Sequence, residues 1–269
     1  DLDRRIYGIT IQKKEIGVLE IKLAKFLMSK IRIIPRMDIK NSNLVKTIKL
    51  DGLRVIGDPN KIAINYYNNL ADELLFLDTV ASLYGRNNVS QIISELSKNV
   101  FIPITVGGGI RSLNDALSMF KSGADKIAVN TAAIKKKNFL NNLSKEFGSQ
   151  SIVTSIDAKK IENKKWRAFI NNGREDSGLD VIEWSKRAAD KGAGEILLTS
   201  IDNEGTYKGL DFDLFNSVSA QVKIPIILGG GFGSLEDLAK AKKMNVDALS
   251  ISGALHYKKF SIKNIKKKL

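Results

Sequence analysis

A chain of 269 residues that is 43% apolar and 27% charged has the balance of a globular protein with a sizeable core. Its formal charge of +14 therefore belongs on a folded surface, since disordered chains of high net charge are poor in apolar residues. The lack of cysteine excludes disulfide frameworks, thiolate zinc sites and cysteine nucleophiles, and a single histidine, His256, excludes a multi-histidine metal centre. Carboxylate, lysine or backbone chemistry is left.

Residues 1–27 alternate charged and apolar side chains too often to hold a signal-peptide core, and no window reaches the roughly 18 apolar residues of a membrane span. The expectation is a cytoplasmic protein with no membrane role. Residues 1–27 read as an N-terminal extension of unknown role, and 28–269 as a single domain. Within that domain, continuous apolar runs at 31–37, 73–78, 104–106, 126–130, 152–157, 195–200, 224–228 and 248–252 have the length and two-sided apolarity of buried parallel strands. Between them lie helical stretches at 58–70, 112–121, 180–191 and 234–243, each opened by Asp or Ser as helix N-caps commonly are. This alternation predicts the α/β class, and specifically a (β/α)8 TIM barrel, which typically needs about 250 residues. No GxGxxG or P-loop pattern supports an open nucleotide-binding sheet.

The chain also repeats itself. Ile-Pro-Ile-Thr-Val-Gly-Gly-Gly at 102–109 returns as Ile-Pro-Ile-Ile-Leu-Gly-Gly-Gly at 224–231, and Ala-Asp-Glu-Leu-Leu-Phe-Leu at 71–77 returns as Ala-Gly-Glu-Ile-Leu-Leu-Thr at 193–199. The barrel is predicted to be two tandem half-barrels, so a site at the strand ends acquires approximate twofold symmetry. Asp38 and Asp157 end a strand in each half, and two such carboxylates can divide acid and base roles if their surroundings separate their pKa values. The glycine triplets, with Gly108 and Gly109 in one half and Gly230 and Gly231 in the other, follow strands and precede helices, an arrangement suited to phosphate. Asn130 and Thr131, and Ser252 and Gly253, can complete one cradle in each half. The predicted ligand is a small molecule phosphorylated at both ends. At the opposite strand ends, Arg32, Glu73, Lys126 and Glu195 predict a mixed-charge ring, either an ion-pair plug or a gated opening. The basic C-terminal tail lacks the aromatic interleaving of a nucleic-acid surface and reads as a solvated helix face, so no nucleic-acid partner is expected.

Thr105-Val-Gly-Gly-Gly-Ile110, Gly123-Ala-Asp-Lys126, Asn130-Thr-Ala-Ala133, Phe147-Gly-Ser-Gln150, Ile156-Asp-Ala-Lys159 and the run at 192–202 followed by Gly205-Thr206 resemble, in fixed order, the HisF cyclase subunits of imidazole glycerol-phosphate synthase. The resemblance implies a (β/α)8 barrel with Asp38 and Asp157 as the acid and base pair, and no metal or organic cofactor. It implies a lyase of histidine biosynthesis that uses ammonia to convert phosphoribulosyl formimino aminoimidazole carboxamide ribotide to imidazole glycerol phosphate and aminoimidazole carboxamide ribotide. Lys46 resembles a mobile lysine that closes over substrate, with Asp78 and Thr199 also placed at substrate and Gly205 at the second phosphate. The charge ring matches an ammonia gate fed by a HisH-type glutaminase partner in a heterodimer. Departures are Arg36 and Met37 where Cys-Leu is usual before the first aspartate, Glu204 for an expected Asp, and Gly229 for an expected Ser. Arg36, two residues from Asp38 in a strand, shares its face and brings charge and bulk toward the site. The wording at 46–49 and 54–59 also resembles cyclase-like paralogues that supply ammonia for amidotransfer in surface-polysaccharide sugar biosynthesis, which is the alternative reading.

Overall fold

The computed structural model describes residues 31–80 and 89–269, together with the backbone at Arg5–Ile6 and Ile9–Thr10, which pair antiparallel. The rest of the expected 1–27 extension lies outside the described residues. The remaining elements, in chain order, are β1 (Arg32–Lys40), β2 (Asn43–Ile48), β3 (Asp51–Gly57), α1 (Pro59–Asn68), β4 (Leu74–Asp78), α2 (Val89–Leu96), β5 (Ile104–Gly107), α3 (Leu113–Lys121), β6 (Lys126–Val129), α4 (Thr131–Lys135) and α5 (Phe139–Phe147). The second half continues with β7 (Ile152–Glu162), β8 (Lys165–Ile170), β9 (Glu175–Asp180), α6 (Val181–Asp190), β10 (Glu195–Ser200), α7 (Phe212–Ser219), β11 (Ile226–Gly229), α8 (Leu235–Lys243), β12 (Ala248–Ile251), α9 (Gly253–His256) and α10 (Ile262–Lys266).

Strands β1, β4, β5, β6, β7, β10, β11 and β12 pair parallel in that order, and β12 returns to β1, closing the ring. The protein is a (β/α)8 barrel. Each strand sits within a residue or two of an expected apolar run, except that β1 and β7 run on to Lys40 and Glu162. Their extensions pair antiparallel with β2 and β8, which pair in turn with β3 and β9. Both arms stand at the C-terminal mouth of the barrel. The expected helix openers act as caps: Asp58, Ser112, Asp180 and Ser234 accept backbone N–H bonds at the starts of α1, α3, α6 and α8.

The internal repeat persists down to individual hydrogen bonds. Asp125 accepts from Ile104 N–H at 2.8 Å and Asp247 from Ile226 N–H at 2.9 Å, clamping β5 and β11 at their starts. Asp115 accepts from Arg111 N–H and Asp237 from Gly233 N–H, both at 2.9 Å, fixing the loops after those strands. Each of these positions has its counterpart 122 residues later, 104 to 226 for example, with Gly233 standing where the first half has Arg111.

Alternation along the strands stacks the interior in layers. Arg32, Glu73, Lys126 and Glu195 lie at the bottom. Ile34, Leu75, Ala128, Val153, Leu197, Ile227 and Ala248 form a buried apolar layer above them. Arg36, Ser155 and Thr199 come next, with Asp38 and Asp157 one step higher. Outside the ring, the larger core packs the strands against the helices. Among the described residues no helix is long and apolar enough to cross a membrane.

Candidate active site

The two aspartates occupy equivalent positions, Asp38 beside Leu77 of β4 and Asp157 beside Thr199 of β10, yet their surroundings differ. Arg36 Nε donates to Asp38 Oδ1 at 2.8 Å, and its Nη1 donates to Thr199 Oγ1 at 3.2 Å. Asp157 Oδ2 instead accepts from the Asn130 side-chain amide at 3.0 Å. Both carboxylates are buried, and burial pushes each upward. At Asp38 the adjacent Arg36 guanidinium, with Lys46 beyond it, more than reverses this and holds the group below the usual range. At Asp157 burial wins over Arg36 and the Asn130 bond, with Asp38 and Glu204 adding to it, and the carboxyl is pushed up to about 6. The two surroundings thus shift the carboxyls in opposite directions.

Asp157 opens onto a cavity of about 390 Å³, which Arg36, Asp78, Gly108, Gly109, Asn130 and Thr131 also line. Gly108 has φ +94°, and a Cβ there would lie 2.3 Å from the Asp78 carbonyl oxygen, so only glycine lets the two loops approach. The second half repeats this geometry. Gly230 has φ +93°, and its Cβ would lie 2.5 Å from Ser200 O. Gly205, Gly230, Gly231, Ser252 and Gly253 line a far tighter space of about 20 Å³. Asn130 and Ser252 precede α4 and α9 with nearly the same backbone, φ/ψ −124°/−84° and −117°/−91°, and neither caps its helix with its side chain. Asn130 Oδ1, Ser252 Oγ and Asp38 Oδ2 are buried without partners.

The difference between the halves comes from Lys46 of the arm β2–β3 and Tyr207 of the loop after β10. Lys46 is folded inward and buried in an ion pair with Glu204. A methyl on Gly253 would lie 2.8 Å from Tyr207 Oη and 3.3 Å from Lys46 Cε, so these two side chains fill the second cradle. The arm is pinned where Lys49 N–H donates to Glu204 O at 2.8 Å. His256, the single histidine, ties the site together from outside: Nε2–H donates to Arg36 O at 3.0 Å, and Nδ1 accepts from Tyr66 at 2.7 Å. A carbonyl can only accept, which fixes the tautomer. Burial brings this imidazole down to about 4.

At the bottom, Arg32 pairs with Glu73 and Glu195, and Lys126 bridges the same two carboxylates at 3.1 and 3.0 Å. The four residues form a closed ring of ion pairs. Lining residues that the strand-end reading passed over are Ser155, Arg111, Lys135, Lys136, Asn171, Asn172 and Tyr207. Ser155 was within reach, because it alternates with Asp157 on one face of β7. Asn171, whose N–H donates to Thr131 Oγ1 at 3.0 Å, arrives through the β8–β9 arm, which lacks the continuous apolar run of the barrel strands.

A closed parallel barrel with one carboxylate and one glycine cradle per half is the layout of a half-barrel-repeat (β/α)8 enzyme. A model of the family described as "Histidine biosynthesis protein" matches residues 32–261. The protein named imidazole glycerol phosphate synthase subunit HisF from Legionella pneumophila is 54% identical over 210 residues, which cover 78% of this chain and 99% of the relative. Proteins of the same name from Bacillus cereus strains Q1 and G9842 are 41% identical over 239 residues, covering 88% of this chain and 95% of each relative. The chain belongs to the histidine biosynthesis family, as one of its HisF cyclase subunits of imidazole glycerol phosphate synthase. These names favour the histidine pathway over the polysaccharide alternative.

Proposed function

We propose that this barrel is a lyase that adds ammonia to phosphoribulosyl formimino aminoimidazole carboxamide ribotide and releases imidazole glycerol phosphate and aminoimidazole carboxamide ribotide. The observation that carries the reading is the pair of buried carboxyls with separated proton affinities, set between two glycine cradles. Asp38, held ionised, is the base, and Asp157, which keeps a proton more readily, is the acid. Gly108, Gly109, Asn130 and Thr131 take one phosphate; Gly205, Gly230, Gly231, Ser252 and Gly253 take the other. Lys46 leaves Glu204 to close over substrate, with Asp78 and Thr199 lining its path.

Ammonia in water is mostly ammonium near neutrality, so the free amine needs a sheltered route. Arg32, Glu73, Lys126 and Glu195 gate that route. A HisH-type glutaminase docked at the bottom of the barrel supplies it, forming a cytoplasmic heterodimer with the barrel domain, residues 28–269. The test is turnover of the purified chain with this substrate and ammonium salt at alkaline pH. The wild type is expected to form imidazole glycerol phosphate, and Asp38→Asn and Asp157→Asn each to lose about 100-fold or more in kcat while still binding substrate. No product from the wild type would overturn the reaction, and near-normal turnover in both variants would overturn the acid–base roles.

A further inference from the structure

We propose that Arg36 is a catalytic residue, its guanidinium donating to the oxygen of the substrate's ribulosyl ketone and holding the negative charge that forms there when ammonia attacks. The proposal rests on the cyclase reading and adds to it a group that the acid–base pair does not supply.

The side chain of Arg36 is 3% exposed and reaches across the barrel interior from β1 to Thr199 of β10. A guanidinium carries five N–H donors. One goes to Asp38 Oδ1 and one to Thr199 Oγ1, so three have no partner among the described residues. The same side chain lines the 390 Å³ cavity onto which Asp157 opens. A residue that served only to neutralise Asp38 would present its fork to both carboxylate oxygens, the usual geometry of such pairs. Arg36 instead touches Asp38 through Nε alone and turns the fork toward Thr199 and the cavity. Asp38 Oδ2 is left buried without a partner beside it. Unused donors and an unused acceptor thus lie together, both carrying the cost of unmet hydrogen bonds until a ligand arrives.

A ketone meeting ammonia has the complementary pattern. As the nitrogen lone pair forms the C–N bond, the C=O π pair moves onto oxygen, where the Arg36 N–H groups meet it. The nitrogen loses a proton to Asp38 Oδ2, and the oxygen takes the proton held by Asp157. Water leaves when the Asp38 proton passes to that hydroxyl as the nitrogen lone pair forms C=N, and the resulting iminium returns a proton to Asp157. One ammonia enters, one water leaves, both carboxyls are restored and Arg36 stays charged throughout.

The test uses the full chain in the ammonium-dependent assay, comparing Arg36→Met and Arg36→Lys with wild type. Arg36→Met is expected to lose about 100- to 1000-fold in kcat, the usual effect of removing an oxyanion donor, with KM within a few-fold because the two cradles still grip the phosphates. Its acid limb should also move to higher pH, since Arg36 is the chief charge holding Asp38 low. Arg36→Lys keeps the charge without the fork, so it is expected to restore that limb but to remain at least about tenfold slower than wild type. A Met variant within about threefold of wild type in kcat, or one changed only in KM, would overturn the proposal. If Arg36→Met does not fold, the Lys variant decides alone, and a kcat within about threefold of wild type overturns it. A wild type that makes no product removes the cyclase reading and this proposal together; an active wild type with unaffected Arg36 variants removes only this one.

Discussion

Asp38 and Asp157 are both buried and both end barrel strands, and what separates them is which oxygen receives a cation. Arg36 Nε lies on Asp38, while Asp157 has only the neutral Asn130 amide. In the unfolded chain Asp157 titrates near 3.8, and in the fold near 6. The folded state therefore binds the extra proton, and stability falls as pH rises from about 4 through 6. Above that, the difference in proton affinity amounts to roughly 3 kcal/mol against the fold. Asp157→Asn removes the charge but keeps an oxygen for the Asn130 bond. Urea unfolding of this variant is expected to show little gain over wild type at pH 4 and a gain that grows through pH 6 to a plateau. A gain independent of pH would contradict the raised affinity. The acid role proposed for Asp157 would account for a residue that the fold alone disfavours.

At the scale of elements, the glycine triplets show what backbone geometry demands. Both were legible because they repeat after an Ile-Pro-Ile strand opening, and the middle glycine of each, Gly108 and Gly230, has a positive φ at which a Cβ would collide with the neighbouring strand end. Gly230→Ala sets its methyl against Ser200 O, a backbone atom that cannot swing away. The loop after β11 must then move out of the second cradle. KM for substrate is expected to rise about tenfold or more, with a stability loss on the order of 1–3 kcal/mol. An unchanged KM would separate this loop from phosphate binding. The barrel strands were equally legible, since burial on both faces leaves unbroken apolar runs such as that of β10. The arms at 43–57 and 165–180 were not, because charged residues break up their apolar ones, as in Lys165-Trp-Arg-Ala-Phe-Ile170, which gives the alternation of a one-sided strand rather than the continuous run of a buried barrel strand. Pairing to the ends of β1 and β7 makes them strands. For the same reason the Lys46–Glu204 pair, joining residues 158 positions apart, had no local trace.

For the whole molecule, the surplus of positive charge has a place. Helices of a (β/α)8 barrel end at the face where its strands begin, and α3, α5, α8 and α10 carry Lys121, Lys145, Lys240, Lys242, Lys243, Lys263 and Lys266 in their last turns. Cations there complement the helix dipoles, and they also surround the end where the Arg32 ring lies. A partner docking on that end meets a basic rim around a closed ring of ion pairs. Arg32→Ala leaves Glu73 and Glu195 sharing Lys126 alone, so the ring loosens at one side. Ammonia added as a salt reaches the mouth from solvent, and turnover with ammonium is expected to stay within about threefold of wild type. On the proposed route, ammonia released by a docked glutaminase would cross the ring. With glutamine as donor, product formed per glutamine hydrolysed is expected to fall well below the wild-type ratio as ammonia escapes sideways. Measuring both turnovers on one preparation separates a gate from a plug. A gate uncouples only the glutamine reaction, whereas a plug that merely holds the barrel shut would, when broken, slow both reactions by the same factor.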